Sequence, residues 1–262
     1  MTAEPPVRRR TELPDDHRAR QHRDEVRRLR DLLRSTIVHG GYQDTKIPTE
    51  SELMARYGVA RGVVREALAL LRSEGLIDRL QGYGTYVLHR PRFEDLSDSH
   101  DRDHPGGSGF WELVSRVTVL ARRRVPTPDA VAALMPDAGS EVLQLDYLTH
   151  DGDDITGAAT NYFRFPEGAS VERTPFGTDF YDLLRRSGVA IGACEFDIGA
   201  AAADVNLAAT IRVPPGTPLL ALEQRILGSD TQVFDVAFIW LRADRVVLSS
   251  VTGPTPPASL IS

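Results

Sequence analysis

The chain has one cysteine, Cys194, so no internal disulfide framework can form, and a reducing cytosol suits it. No apolar run approaches the length of a membrane span, and the opening MTAEPPVRRR lacks the apolar core of a secretion signal. A soluble, cytoplasmic protein without a membrane partner is therefore expected. Histidine is scarce too. Between residues 110 and 250 only His150 occurs, beside the turn Asp151-Gly152-Asp153. No nucleophile elbow, phosphate-cradling loop or Cys/His pair is present, so neither catalysis nor a cofactor is expected. His100-Asp101-Arg102-Asp103-His104 holds ligand residue types, but a flexible stretch containing a repelling arginine does not fix tetrahedral geometry, and no metal is expected.

What is present divides unevenly. The net charge is −6 over 262 residues, which by itself argues against a nucleic-acid partner. Yet residues 1–90 carry 17 Lys and Arg against 13 Asp and Glu, a balance of +4, while residues 91–262 carry 14 against 24, a balance of −10. A chain this long, 41% hydrophobic, can bury two cores, and its basic part is the N-terminal one.

That basic part is organised around KIPTESELMARYGVARGVVREALALLRSEGLIDRLQGYGTYV, from Lys46 to Val87. Thr49 and Glu52 have capping-box spacing, which predicts a helix start; Tyr57-Gly58-Val59 ends it in a tight turn. A second helix from Arg61 carries Val64, Ala67, Leu68 and Leu71 on one face and Arg61 and Arg65, four apart, on another, and Gly75 stops it. Leu76 to Leu80 and Thr85 to Leu88 read as strands joined by Gln81-Gly82-Tyr83-Gly84. Helix, turn, helix and hairpin make a winged helix-turn-helix, whose second helix enters the major groove of double-stranded DNA.

These residues resemble the DNA-binding module of the GntR family of bacterial transcription regulators: Pro, Thr-Glu, Val-Arg-Glu-Ala-Leu, Glu-Gly-Leu and Gln-Gly-x-Gly-Thr-x-Val recur in order. The resemblance implies that Arg61 and Arg65 read bases or clamp phosphates, that Ser51 lies at the DNA backbone, and that Gln81, Gly82 and Tyr83 form the wing that approaches it. At the start of the recognition helix the family's hydroxyl residues are replaced by Ala60, Gly62 and Val63, so three hydroxyl contacts to phosphate or base are missing, while Gly62 and Val63 are still expected at the DNA.

Residues 1–21, with three prolines and Arg8-Arg9-Arg10, read as a disordered basic arm. From His22 to Val38, Val26, Leu29, Leu32, Leu33 and Ile37 recur at helical spacing and complete a winged domain over residues 22–90. Residues 91–109 have linker composition. Beyond them, period-two strands are predicted at Leu113–Arg124, Val142–His150, Gly157–Phe165, Ala190–Ala200, Leu219–Leu227, Gln232–Leu241 and Val246–Val251. Short helices are predicted at Pro128–Leu134, Phe180–Gly188 and Ala202–Ala209. An antiparallel sheet with scattered helices is α+β, over residues 110–252, with a frayed tail at 253–262.

Within this half, Val213-Pro-Pro-Gly-Thr-Pro-Leu-Leu, Glu223-x-Arg225 and Asp244-Arg245 resemble the UTRA domain of the HutC-type branch of that family, which shares its fold with chorismate lyase. The resemblance implies homodimerisation and a pocket between the sheet and the Tyr181 helix that accepts a small-molecule effector. Arg164 and Arg225 are the candidates for an acidic group. Asp235 suits hydroxyl or amine groups, and Tyr181 and Glu195 could line the same cavity. The strand Leu143 to Thr149 lacks the arginines that sugar-phosphate sensors of this branch carry there. A phosphosugar is disfavoured and a less acidic or cationic ligand is admitted. The expected protein is a homodimeric repressor that leaves a palindromic operator when an effector binds. Its rivals are a constitutive regulator with a vestigial pocket and an enzyme of chorismate-lyase-like fold. A helical metal-binding sensor would need histidines that the chain lacks.

Overall fold

In the computed structural model the described residues are 14–42, 45–89, 91–95, 116–177 and 180–250. The chain divides into two compact units between residues 90 and 91. The Arg8-Arg9-Arg10 arm, the His100–His104 stretch and the 253–262 tail lie outside the described residues. No described helix is long and apolar enough to cross a membrane.

The first unit opens with α1, Pro14–Val38, so the last third of the expected arm is helical. Val26, Leu29, Leu33 and Ile37 form its buried stripe. Leu32, expected in that stripe, is 53% exposed, because one step of about 100° from Leu33 turns it off the stripe. Strand β1, Lys46–Ile47, is an addition to the sequence reading. It is followed by α2, Glu50–Tyr57, then α3, Arg61–Ser73. The wing is β2, Ile77–Leu80, and β3, Gly84–Val87, with β3 central and β1 on its other side.

The start of α2 is the expected capping box: Thr49 Oγ1 accepts from the Glu52 backbone N–H, and Glu52 accepts from the Thr49 backbone N–H at 2.7 Å. Gly58, at φ 65°, then reverses the chain. Replacing Thr49 with alanine should lower the stability of this unit by about 1 kcal/mol. An unchanged urea midpoint would remove the cap from the account of where α2 begins.

The second unit begins earlier than its linker composition suggests. Strand β4, Arg92–Asp95, pairs in parallel with β11, Val246–Ser249. A partner that distant in sequence leaves no local signature. The main sheet comprises β5, Arg116–Pro126, β6, Glu141–Asp151, β7, Asp154–Phe163, β8, Ala193–Ala202, β9, Pro218–Leu227, and β10, Val233–Arg242. They lie in the order β5-β6-β7-β10-β9-β8, every neighbouring pair antiparallel. One face is covered by α5, Glu167–Arg173, which sequence periodicity missed, and by α6, Phe180–Arg186. The other carries α4, Asp129–Leu134, and α7, Val205–Ile211. His150, expected beside a surface turn, is buried at the end of β6, with Nε2 3.0 Å from Thr118 Oγ1.

Candidate DNA-binding groove and effector site

In the first unit the N-terminus of α2, the outer face of α3 and the wing enclose a groove of about 740 Å³. Ser51, Arg61, Gly62, Arg65 and Tyr83 all line it. Its walls add Lys46, Arg72 and Arg79, cations that the sequence reading did not single out. Arg61 and Arg65 are both exposed, as their spacing predicts. They are not equivalent. Arg61 Nε donates to the Glu50 carboxylate at 2.9 Å, whereas Arg65 has no ion-pair partner among the described residues. Gln81 and Gly82 are exposed at the wing tip, where Gly82 sits at φ 81°, and Tyr83 is 74% exposed.

One expected contact is corrected. Val63 is completely buried among Val64, Ala67 and Leu71, so its side chain supports α3 and presents nothing to a groove. The physical reason is the width of the apolar stripe: positions 63, 64, 67, 68 and 71 all turn inward. Ala60 starts α3 with no side-chain cap, in keeping with the missing hydroxyl noted in the sequence.

In the second unit, the five candidate effector residues divide between three places. Asp235 and Tyr181 lie on the α6 face of the sheet, both buried. Arg225 and Glu195 lie on the opposite face: Asp235 pairs with Ile226, so Arg225 next to it projects the other way. There the Arg225 guanidinium is shared by Glu195 at 3.0 Å, Asp197 at 2.9 Å and Glu223 at 2.7 Å. The hydrogen bonds to Glu195, first, and Asp197 raise its pKa. Arg164, beyond the end of β7, pairs with Glu167 and Asp230, each at 3.0 Å, and these fix the start of α5 to the β9–β10 turn. Both arginines expected to receive an acid are thus already neutralised by carboxylates.

Three further polar side chains on the α6 face join Asp235 instead. The register sets Asn161, Ala237 and Gln224 side by side on β7, β10 and β9, with Asp235 two residues from Ala237 and Tyr147 on β6 opposite Ala159. Asn161 Nδ2 donates to Asp235 Oδ2 at 2.7 Å, and Gln224 Nε2 donates to Tyr181 Oη at 2.7 Å. Asp235 Oδ1, Asn161 Oδ1, Gln224 Oε1 and Tyr147 Oη are buried without a hydrogen-bond partner among the described residues. Such unpaired groups are rare in folded proteins and call for a reason. Burial holds the Asp235 carboxyl well above the usual carboxylate range, the Asn161 hydrogen bond opposing it only in part. Burial likewise pushes the Tyr147 phenol up, with the Asp235 charge adding to it. A signal for the missed residues does exist in the sequence: Asn161 interrupts Ala159-x-x-x-Phe163, and Gln224 interrupts Leu222-x-x-x-Ile226, at inward-facing positions.

Residues 25–87 match the family described as bacterial regulatory proteins, gntR family, and residues 112–247 match the UTRA domain. The chain is similar to an HTH-type transcriptional regulator of Mycobacterium tuberculosis, with 26% identity over 87% of this chain and 84% of that protein. It is also similar to the transcriptional repressor NagR of Bacillus subtilis, at 23% identity over 83% and 90% respectively. The probable fructoselysine utilization operon repressor of Escherichia coli K12 is 26% identical over 84% and 91%. Among solved structures, PhnF from Mycobacterium smegmatis superposes with a TM-score of 0.56 at 22% identity, covering 80% of this chain and 92% of that one. That likeness concerns the fold alone.

Proposed function

Since the chain belongs to the GntR family of bacterial regulatory proteins, in its HutC-type branch with a UTRA domain, and is a DNA-binding transcription regulator, we propose that it is a homodimeric repressor released from a palindromic operator by a small-molecule effector. In this reading it acts in the cytoplasm. Each winged unit places α3 in a major groove, with Arg61 and Arg65 towards the bases and phosphates, Ser51 at the backbone, and Gln81, Gly82 and Tyr83 alongside. The observation that carries the DNA side is one groove that gathers Ser51, the wing residue Tyr83 and five cations, Arg61 and Arg65 among them.

The effector side rests on the unpaired polar cluster around Asp235, covered by α6. Tyr147, Asn161 and Gln224 extend the pair Tyr181 and Asp235, while Arg164, Glu195 and Arg225 act structurally in this reading. Effector binding favours a dimer whose winged units are wrongly spaced for the operator. A 100-fold release needs about 2.7 kcal/mol of differential affinity between the two states.

The test is a gel-shift titration of the purified protein on DNA from its own upstream region, repeated with metabolites of neighbouring pathways. A shifted band that one metabolite abolishes is expected. A band that no metabolite disturbs favours the constitutive reading, and no band at all removes the operator assignment.

A further inference from the structure

The unpaired atoms beneath α6 are mostly acceptors once Asp235 is ionised. Asn161 Nδ2 donates to Asp235 Oδ2, and Gln224 Nε2 donates to Tyr181 Oη. What remains is Asn161 Oδ1 and Gln224 Oε1, two amide acceptors, with Asp235 Oδ1 a third acceptor once the carboxyl is ionised and the Tyr147 hydroxyl able to serve either way. Asn161 and Gln224 stand on strands about 10 Å apart with only the Ala237 methyl between them. The surroundings are apolar: Leu145, Phe163, Phe180, Leu222 and Ile226 belong to the same cluster.

An anionic ligand group has no counterpart here. Among the described residues, the three arginines that the sheet strands bring to or beside this side are each engaged. Arg164 is held by Glu167 and Asp230, and Arg124 by Glu172. Arg122 Nη1 donates to the carbonyls of Glu172 and Thr174. Both Arg122 and Arg124 are on β5, separated from β10 by two strands, or about 14 Å. A phosphate or carboxylate would bring more acceptors to a site where Asn161 Oδ1 and Gln224 Oε1 already lack donors among the described residues.

Resting on the effector reading above, we propose that the ligand of this site is an amine: an ammonium group on an apolar or neutral body, donating its N–H bonds to Asp235, Asn161 and Gln224, with no phosphate. An ammonium supplies three donors from one atom, whereas a hydroxyl supplies one. It also lets the buried Asp235 carboxyl give up its proton to solvent and become half of a hydrogen-bonded ion pair.

Thermal unfolding of the full chain with n-butylammonium, n-butanol and n-butyl phosphate, at matched concentration and ionic strength, tests the class. Only the ammonium is expected to raise Tm. The concentration giving half the shift should rise about tenfold in Gln224→Met, which removes one acceptor and the donor to Tyr181 at similar volume, and the shift should vanish in Asp235→Asn. No shift with the ammonium, a larger shift with the phosphate, or an ammonium shift undiminished in both variants would each overturn the proposal. Gel shifts with the same probes separate it from the repressor reading. An ammonium that binds without releasing DNA leaves the ligand class standing and sinks effector release. A phosphate ester that binds and releases DNA does the reverse.

Discussion

Arg65→Ala should weaken binding to the upstream DNA by about 1–3 kcal/mol, roughly 5- to 150-fold. Arg65 is exposed in the groove, four residues from Arg61, and is free of the carboxylate that holds Arg61 in place. Its guanidinium can therefore reach DNA without first breaking a protein ion pair. Truncating an exposed side chain that has no ion-pair partner among the described residues should change the stability of the winged unit by less than about 0.5 kcal/mol, so lost binding cannot be traced to lost folding. A titration at several salt concentrations then separates two roles. A phosphate contact lowers the salt dependence and weakens all sequences equally, while a base contact relaxes discrimination at one position. Unchanged affinity would remove Arg65 from the interface.

The second large effect is at Asp235. Its carboxyl is wholly buried and its pKa is raised by that burial. The sign follows from linkage. The group stays protonated in the fold at pH values where the unfolded chain has already ionised it. Its contribution is therefore complete below the ordinary Asp pKa of about 4 and is lost as pH rises towards the folded value. Asp235→Asn keeps the shape and an acceptor for Asn161 but cannot ionise. It should flatten the pH profile of stability above about pH 4 and stabilise the chain at neutral pH by about 1–3 kcal/mol, the cost of a poorly satisfied buried polar group. Urea unfolding from pH 5 to pH 8 reads this directly. The same variant should lose its response to effector, the ratio of operator affinities with and without ligand falling to one. A variant that is less stable at neutral pH and still inducible would show that Asp235 serves packing alone.

A carboxyl that weakens the fold where it stands is more readily understood as a binding group than as a structural one. Arg225 illustrates the opposite case. Its three carboxylate partners occupy its donors, and it braces adjacent strands on the sheet's other face.

How far the sequence alone reaches depends on the range of the interactions involved. The capping box at Thr49 and Glu52, the turn at Gly58, the inward stripe of α3 and the outward pair Arg61 and Arg65 were all legible, because each is set by neighbours within a turn or two of helix. Most strands of the main sheet were legible for the same reason, their period of two being local. The short strands β1 and β4 were not, since pairing with distant partners defines them. Nor was the burial of Val63, which depends on how wide a stripe α1 and the hairpin cover. The effector site was decided only by tertiary structure. Arg225 and Asp235 share a region of sequence but not a face, while Tyr147, Asn161, Gln224 and Asp235 come from four strands and meet through register. The chain itself specifies which residue types each strand holds. Hydrogen-bonded pairing between strands, which shifts every side chain to the other face with a slip of one residue, decides which of them confront a ligand together.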